Sequence, residues 1–279
     1  MQELLFAFLA LFGFGSKDVL NKLILKKLDV YSTLIIEYFL ALFLFAAAIL
    51  LFSKPVFPQA DTLLLIILST VIGSASIVSY FKAVQSSKVS LIFAIAGSYP
   101  LFAILFSVFF LGEAFLSKYF IVLPALLVAL FLLGYSKKQG KLFEPAVWLA
   151  LLACVGWGAN FTLAKVISSS INPFNTTLFM EGGLFIGISA YALLSRKKLS
   201  LPKSGQGLLF LSYVALFALA AVSMNISLLT NGVPLTTLIT ASAPGLTAII
   251  SRVFLKEKLS LRQYAGILLL VISLAVLSL

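Results

Sequence analysis

FGFGSKDVLNK, Phe12 to Lys22, closes an apolar opening run, and VGWGANFTLAK, Val155 to Lys165, closes a second one far along the same chain. Each phrase holds two glycines spaced G-x-G, Gly13 and Gly15 in the first and Gly156 and Gly158 in the second. An aromatic, Phe14 or Trp157, stands between them, and a lysine, Lys22 or Lys165, follows the second glycine by seven residues. A shift of 143 superposes the two phrases, and a shift of 144 puts Glu37 on Glu181, Pro100 on Pro244, Leu111 on Leu255 and Glu113 on Glu257. A single-residue change in one connection accounts for the difference. The chain therefore reads as a duplicated unit, 1–138 followed by 139–279.

Composition places that unit in a membrane. Of 279 residues 62% are hydrophobic and 10% charged, whereas about 25% of a soluble domain is charged. Apolar runs of 18 to 25 residues recur, long enough to cross a hydrocarbon layer roughly 30 Å thick. Ten spans are predicted, near 2–25, 31–52, 61–84, 89–112, 117–136, 146–168, 174–194, 207–230, 234–255 and 261–278. SKPVFPQAD, LGEAFLSK, SKKQGKLFEP, SRKKLSLPKSGQG and LKEKLS punctuate them, and no gap has room for a soluble domain. The opening MQELLFAFLALFGFG lacks a basic flank and a small-residue cleavage site, so it is expected to persist as a helix.

Five spans per unit is an odd number, so the second copy starts from the opposite face of the bilayer. The expected fold is an all-α integral membrane protein of ten transmembrane helices, arranged as two inverted five-helix repeats in one structural domain. Secondary transporters recurrently use that design, each half opening what the other closes.

The same composition excludes several functions. Histidine is absent, and the one cysteine, Cys154, lies in an apolar run and is expected to be a small buried side chain. No disulfide framework, thiolate metal site or histidine-based catalytic group is available, so no catalytic residue, metal or cofactor is expected. No P-loop occurs, which argues against ATP hydrolysis by this chain. The net charge of +11 comes mostly from residues in the short gaps, a pattern of loops beside a cytoplasmic leaflet rather than of a nucleic-acid surface.

Those gaps also carry orientation. Lys22, Lys26, Lys27, Lys82, Lys88, Lys137, Lys138, Lys141, Arg196, Lys197, Lys198, Lys203, Arg252, Lys256, Lys258 and Arg262 follow odd-numbered spans, against Lys54, Lys118 and Lys165 on the other side. By the positive-inside rule this bias puts both termini outside the cytoplasm. The expected location is the cytoplasmic (inner) membrane.

Ionisable groups at bilayer depth are costly, and usually face a partner or a wet cavity. Glu37 and Glu181 come about seven residues into their spans, and the acid recurs in both halves. Either could bind a substrate ammonium, carry a proton, or pair with a lysine. Lys17, Asp18, Asn21 and Lys22 form a polar patch ending the first span, with Asp18 and Lys22 at the helical i,i+4 spacing. Lys17 is deeper, and a partner from another helix, Glu37 or Glu181, is expected, or a substrate carboxylate. Its repeat counterpart is the neutral Asn160. Tyr80, Tyr99 and Asn225 are candidate cavity-lining hydrogen bonders, and Trp157 and Phe14 candidate stacking or plugging groups. Gly13, Gly15, Gly156 and Gly158 remove bulk for helix packing. Pro100 and Pro244 lie mid-span and are expected to kink or bend it. Glu113 and Glu257 lie at span ends and are expected to cap or pair there.

LGE at Leu111–Glu113 after Pro100, LKE at Leu255–Glu257 after Pro244, and the twice-written G-x-G with its aromatic resemble the drug/metabolite transporter superfamily. More narrowly, the chain resembles the ten-helix EamA-type branch, which includes amino-acid and metabolite exporters. The resemblance implies cytoplasmic termini, opposite to the charge bias. It departs where that branch often has an arginine early in helices 2 and 7, since this chain has Glu37 and Glu181.

The leading expectation is a secondary transporter or facilitator for small metabolites, amino acids first, working by alternating access around a central cavity. Its partners would be a small-molecule substrate, the lipid bilayer and, if coupled, protons, with a monomer or weak homo-oligomer as the working state and no nucleic acid. A proton-coupled multidrug carrier, a nucleotide-sugar carrier or another metabolite carrier is the alternative. A channel or an intramembrane enzyme is more remote.

Overall fold

The computed structural model describes residues 4–86, 89–134, 145–202 and 207–278. Lys88, Lys137, Lys138, Lys141, Lys203 and the expected repeat boundary at 138/139 lie outside the described residues. The regular elements within them are all α-helices: α1 (Leu5–Ile24), α2 (Val30–Phe52), α3 (Ala60–Ser86), α4 (Val89–Ala96), α5 (Tyr99–Leu111), α6 (Tyr119–Gly134), α7 (Pro145–Leu194), α8 (Gly207–Asn231), α9 (Val233–Thr240), α10 (Ala243–Phe254) and α11 (Leu261–Ser278). Among the described residues, six stretches are long and apolar enough to cross a membrane, and two shorter helices, α6 and α11, are also apolar.

Local chemistry sets the breaks. Asp29 caps α2, its side chain accepting from the Ser32 N–H at 3.0 Å while the Thr33 hydroxyl donates to the Asp29 carbonyl at 2.8 Å. The same device recurs inside α7. Asn172 leaves helical geometry at φ 63° and ψ 161°, and its Oδ1 accepts from the N–H groups of Phe174 and Asn175 at 3.1 and 3.2 Å. Pro173 follows at the start of a helix, where its missing N–H costs nothing. Thr176 donates to the Asn172 carbonyl at 2.8 Å, as Thr33 does to Asp29. Thus α7 consists of two arms, 145–171 and 173–194, joined by a sharp cap.

The expected fourth and ninth spans are also broken, and here the structure differs from a simple mid-helix proline. Pro100 and Pro244 each occupy the first turn of a new helix, α5 and α10, so neither removes a needed donor. The breaks match bond for bond. Ser98 N–H donates to the Ile95 carbonyl and Ser242 N–H to the Ile239 carbonyl, both at 3.1 Å. Their hydroxyls donate back to Ala94 and Leu238 at 2.8 and 3.4 Å, satisfying carbonyls that hydrocarbon could not.

LGE and LKE are helix stops. Gly112 and Lys256 take φ of 67° and 54°, the left-handed conformation of a helix C-cap. The next N–H groups, of Glu113 and Glu257, reach back to the carbonyls of Ser107 and Ser251, each at 3.3 Å.

By contact the chain forms two compact units, each drawing on both halves of the sequence: 1–74 with 163–230, and 75–162 with 231–279. In the first, Gly13 lets α1 meet α8, since a Cβ there would lie 2.8 Å from the Leu216 carbonyl oxygen and from the Ala220 Cβ. Gly183 and Gly187 do the same for the second arm of α7 against Thr70 and Ser74 of α3. In the second unit, α11 packs along α6, α4 also lies on α6, and α5 meets α9. Gly158 there brings the first arm of α7 against α5, a Cβ falling 2.7 Å from the Ala103 nitrogen.

Candidate functional site

The first unit holds a cluster of charge. Lys17 on α1 places its Nζ 2.6 Å from the Glu37 Oε1 on α2, with side-chain exposures of 14% and 0%. The Tyr213 hydroxyl on α8 donates to the other oxygen of Glu37. The same ammonium lies over two rings of α8, 4.5 Å from the Phe217 centroid and 5.3 Å from that of Tyr213. Lys17 is therefore held by a carboxylate and two aromatic faces, the arrangement that makes a desolvated cation tolerable.

Glu181, on the second arm of α7, is placed differently. Its Oε2 is sealed from solvent and accepts no hydrogen bond from any described residue. Lys17 and Glu37 are the charges acting on it, and the Tyr38 hydroxyl of α2 senses both glutamates. Asp18, on α1, has Lys17, Glu37 and Lys22 as charged neighbours. The cluster thus holds three acids and Lys17 within a largely apolar unit.

Asn225 on α8 donates to the Thr177 hydroxyl at 2.9 Å and to the Ala221 carbonyl at 3.3 Å. Since Thr177 sits beside the Asn172 joint, Asn225 ties α8 to the start of the second arm. Gly15 is buried near Lys17 in sequence, and Phe14 is half-buried.

The second unit holds an aromatic cluster. Trp157 lies 5.2 Å from Tyr80 and 6.3 Å from Tyr99, ring to ring, and Tyr99 lies 5.1 Å from Phe161. The Tyr99 hydroxyl shares a 3.1 Å hydrogen bond with Thr240 of α9. Asn160 and Gly156 are buried in the first arm of α7. Glu113 is used structurally, its carboxylate accepting the Val233 N–H at 3.1 and 3.2 Å and so capping α9.

The structure thus brings together Lys17, Glu37 and Glu181 in one unit and Tyr80, Tyr99 and Trp157 in the other. Sequence reading passes over Tyr213, Phe217, Thr177 and Phe161, because a hydroxyl or ring inside an apolar run gives no sign of which neighbour it meets. The usable signal is that a deep lysine needs a counter-charge.

Both halves of this architecture answer to a single family model, that of the EamA-like transporter family, which matches residues 1–135 and again 144–279. The chain belongs to the EamA-like transporter family. An EamA-like protein of this kind is a multi-pass membrane transporter, with a small-molecule cargo and the lipid bilayer as its partners. A solved crystal structure 18% identical in sequence superposes with a TM-score of 0.80 over 99% of this chain and 96% of its own, a likeness of fold. No curated protein matches the chain.

Proposed function

We propose that this EamA-like protein is a secondary carrier of small polar or amphipathic metabolites, amino acids first, working by alternating access. The proposal counts ten crossings: α1, α2, α3, α4 with α5, α6, the two arms of α7, α8, α9 with α10, and α11. They would form two inverted repeats, 1–138 and 139–279, in one domain of the cytoplasmic membrane, the charge bias placing both termini outside.

The observation that carries the reading is the charged cluster of Lys17, Glu37 and Glu181, held within helices that are otherwise apolar. Such groups are retained at membrane depth where ions or polar cargo pass. A cargo bearing both an ammonium and a carboxylate complements a cluster of both signs, which favours amino acids over purely cationic drugs. The aromatic cluster of Tyr80, Tyr99 and Trp157 is a separate candidate contact.

Countertransport in proteoliposomes tests the proposal. Vesicles preloaded with an unlabelled amino-acid mixture are expected to accumulate labelled mixture from outside, saturably and with competition by amino acids. Flux that does not saturate points to a channel. Competition by large aromatic cations alone would transfer the reading to a multidrug carrier.

A further inference from the structure

The two repeat-related acids differ in what neutralises them, and that difference assigns them different work. Glu37 is fully enclosed, with one oxygen against Lys17 and the other accepting from Tyr213. Removing its charge would leave the Lys17 ammonium without its carboxylate, so Glu37 is committed as that ammonium's counter-ion. Glu181 has no such commitment, because its enclosed oxygen meets no donor among the described residues.

A carboxylate whose enclosed oxygen meets no donor is unfavourable in its ionised form, and takes up either a proton or a cation. The groups around it decide which. α1 offers Lys17 and α2 offers Glu37 and Tyr38, while Asp18 and Tyr213 act on Glu37. On α3, Thr70 and Ser74 lie opposite Gly183 and Gly187 of the second arm. Among the described residues Lys17 is the cation that acts on Glu181, and it is already bonded to Glu37. With the site's positive charge consumed by one acid, the other is left to exchange with the medium.

We propose that Glu181 is the protonatable carboxyl that couples this carrier to a proton gradient, while Glu37 stays ionised as the fixed counter-ion of Lys17. Uptake of one proton turns the Glu181 carboxylate into a neutral carboxyl that the apolar surroundings accept. Its release to water on the other side restores the charge and completes one proton carried per cycle. The proposal rests on the carrier reading above and names the coupling ion of the same cluster.

Two measurements test it. Infrared spectroscopy of the purified protein needs no cargo. The wild type is expected to show, at neutral pH, a protonated-carboxyl band that shifts in heavy water and vanishes on alkalinisation. Glu181→Gln is expected to lose this band, and Asp18→Asn to keep it. A wild type without the band, or a Glu181→Gln variant that retains it, overturns the proposal. The second arm uses proteoliposomes and an equimolar mixture of radiolabelled amino acids, with and without a pH gradient. A gradient is expected to stimulate wild-type uptake severalfold, Glu181→Gln to abolish the stimulation, and Glu181→Asp to restore part of it. Exchange without stimulation in the wild type, or full stimulation in Glu181→Gln, refutes coupling at this residue. If the wild type exchanges no amino acid even at equal pH, the carrier reading for amino acids fails instead, and the infrared band still decides the protonation state.

Discussion

Glu37 and Glu181 stand 144 residues apart at matching places in the two repeats, yet their surroundings have little in common. Around Glu37 three side chains from α1 and α8 converge: an ammonium, a phenol hydroxyl, and the Phe217 ring that shelters the ammonium. Around Glu181 the enclosed oxygen finds no donor among the described residues. The two repeats also differ in charge at one matching position. The first repeat supplies Lys17, whereas the equivalent residue of the second is Asn160, which brings no charge. Duplication kept the acid twice and the base once. A repeat protein can in this way hold one copy of a group as structure and leave the other for function.

The contrast can be broken by substitution, and the largest effect falls on Glu37. Glu37→Gln leaves Lys17 charged and buried, and is expected to destabilise the protein by about 3–5 kcal/mol. Thermal unfolding of the purified protein measures this. Glu181→Gln strands no cation, and its unfolding temperature is expected to stay close to that of the wild type. Equal losses for the two variants would erase the distinction.

Packing on α1 ranks next. Gly13→Val drives a side chain into the Leu216 carbonyl and the Ala220 Cβ, both 2.8 Å from where its Cβ would lie. The expected cost is about 1–3 kcal/mol, and it pushes Lys17 away from Glu37, so the loss should fall further when Glu37 is present than when both charges are removed. Gly182→Ala is the control, since its Cβ would meet only Leu42 at an ordinary 3.6 Å. Stability unchanged in Gly13→Val would mean that α1 is free to move off α8.

A smaller effect is expected from Asn225→Ala, which releases Thr177 beside the α7 joint. Interhelical hydrogen bonds of this kind contribute about 0.6 kcal/mol. An effect of similar size lies outside the membrane, at the cap of α2. Burial disfavours the Asp29 carboxylate, but hydrogen bonds from Ser32, Ser200 and the Tyr31 backbone outweigh it and hold its pKa below the ordinary value. A folded pKa lower than the unfolded one gives stability that is present above the unfolded value and is lost as pH falls through the folded one. Asp29→Ala is expected to cost about 1 kcal/mol at neutral pH and to lose that acid-side dependence. A pH series of unfolding temperatures on both proteins checks it.

Much of this architecture was legible in the residues. The offsets of 143 and 144 exposed the repeat, and apolar run length exposed the membrane helices. Glu37, Glu181 and Lys17 were conspicuous because charge is so scarce. The breaks at Ser98 and Ser242 were not legible, since Pro100 and Pro244 read equally well as kinks inside a helix and as first-turn residues of a new one. Partner choice was also hidden. Helices that are apolar all round show no face preference, so nothing in sequence tells Lys17 to take Glu37 over Glu181, or brings Tyr213 to Glu37 across 176 residues. LGE and LKE were recognisable as motifs, while their physical role as left-handed helix caps needed backbone angles to see.

The most direct test is a pair of double-mutant cycles on unfolding free energy, one joining Lys17→Met with Glu37→Gln and the other joining Lys17→Met with Glu181→Gln. A coupling of about 1–3 kcal/mol is predicted for the first cycle, with a second value several times smaller. Couplings of equal size, or a larger one to Glu181, would contradict the division between a neutralised acid and an available one.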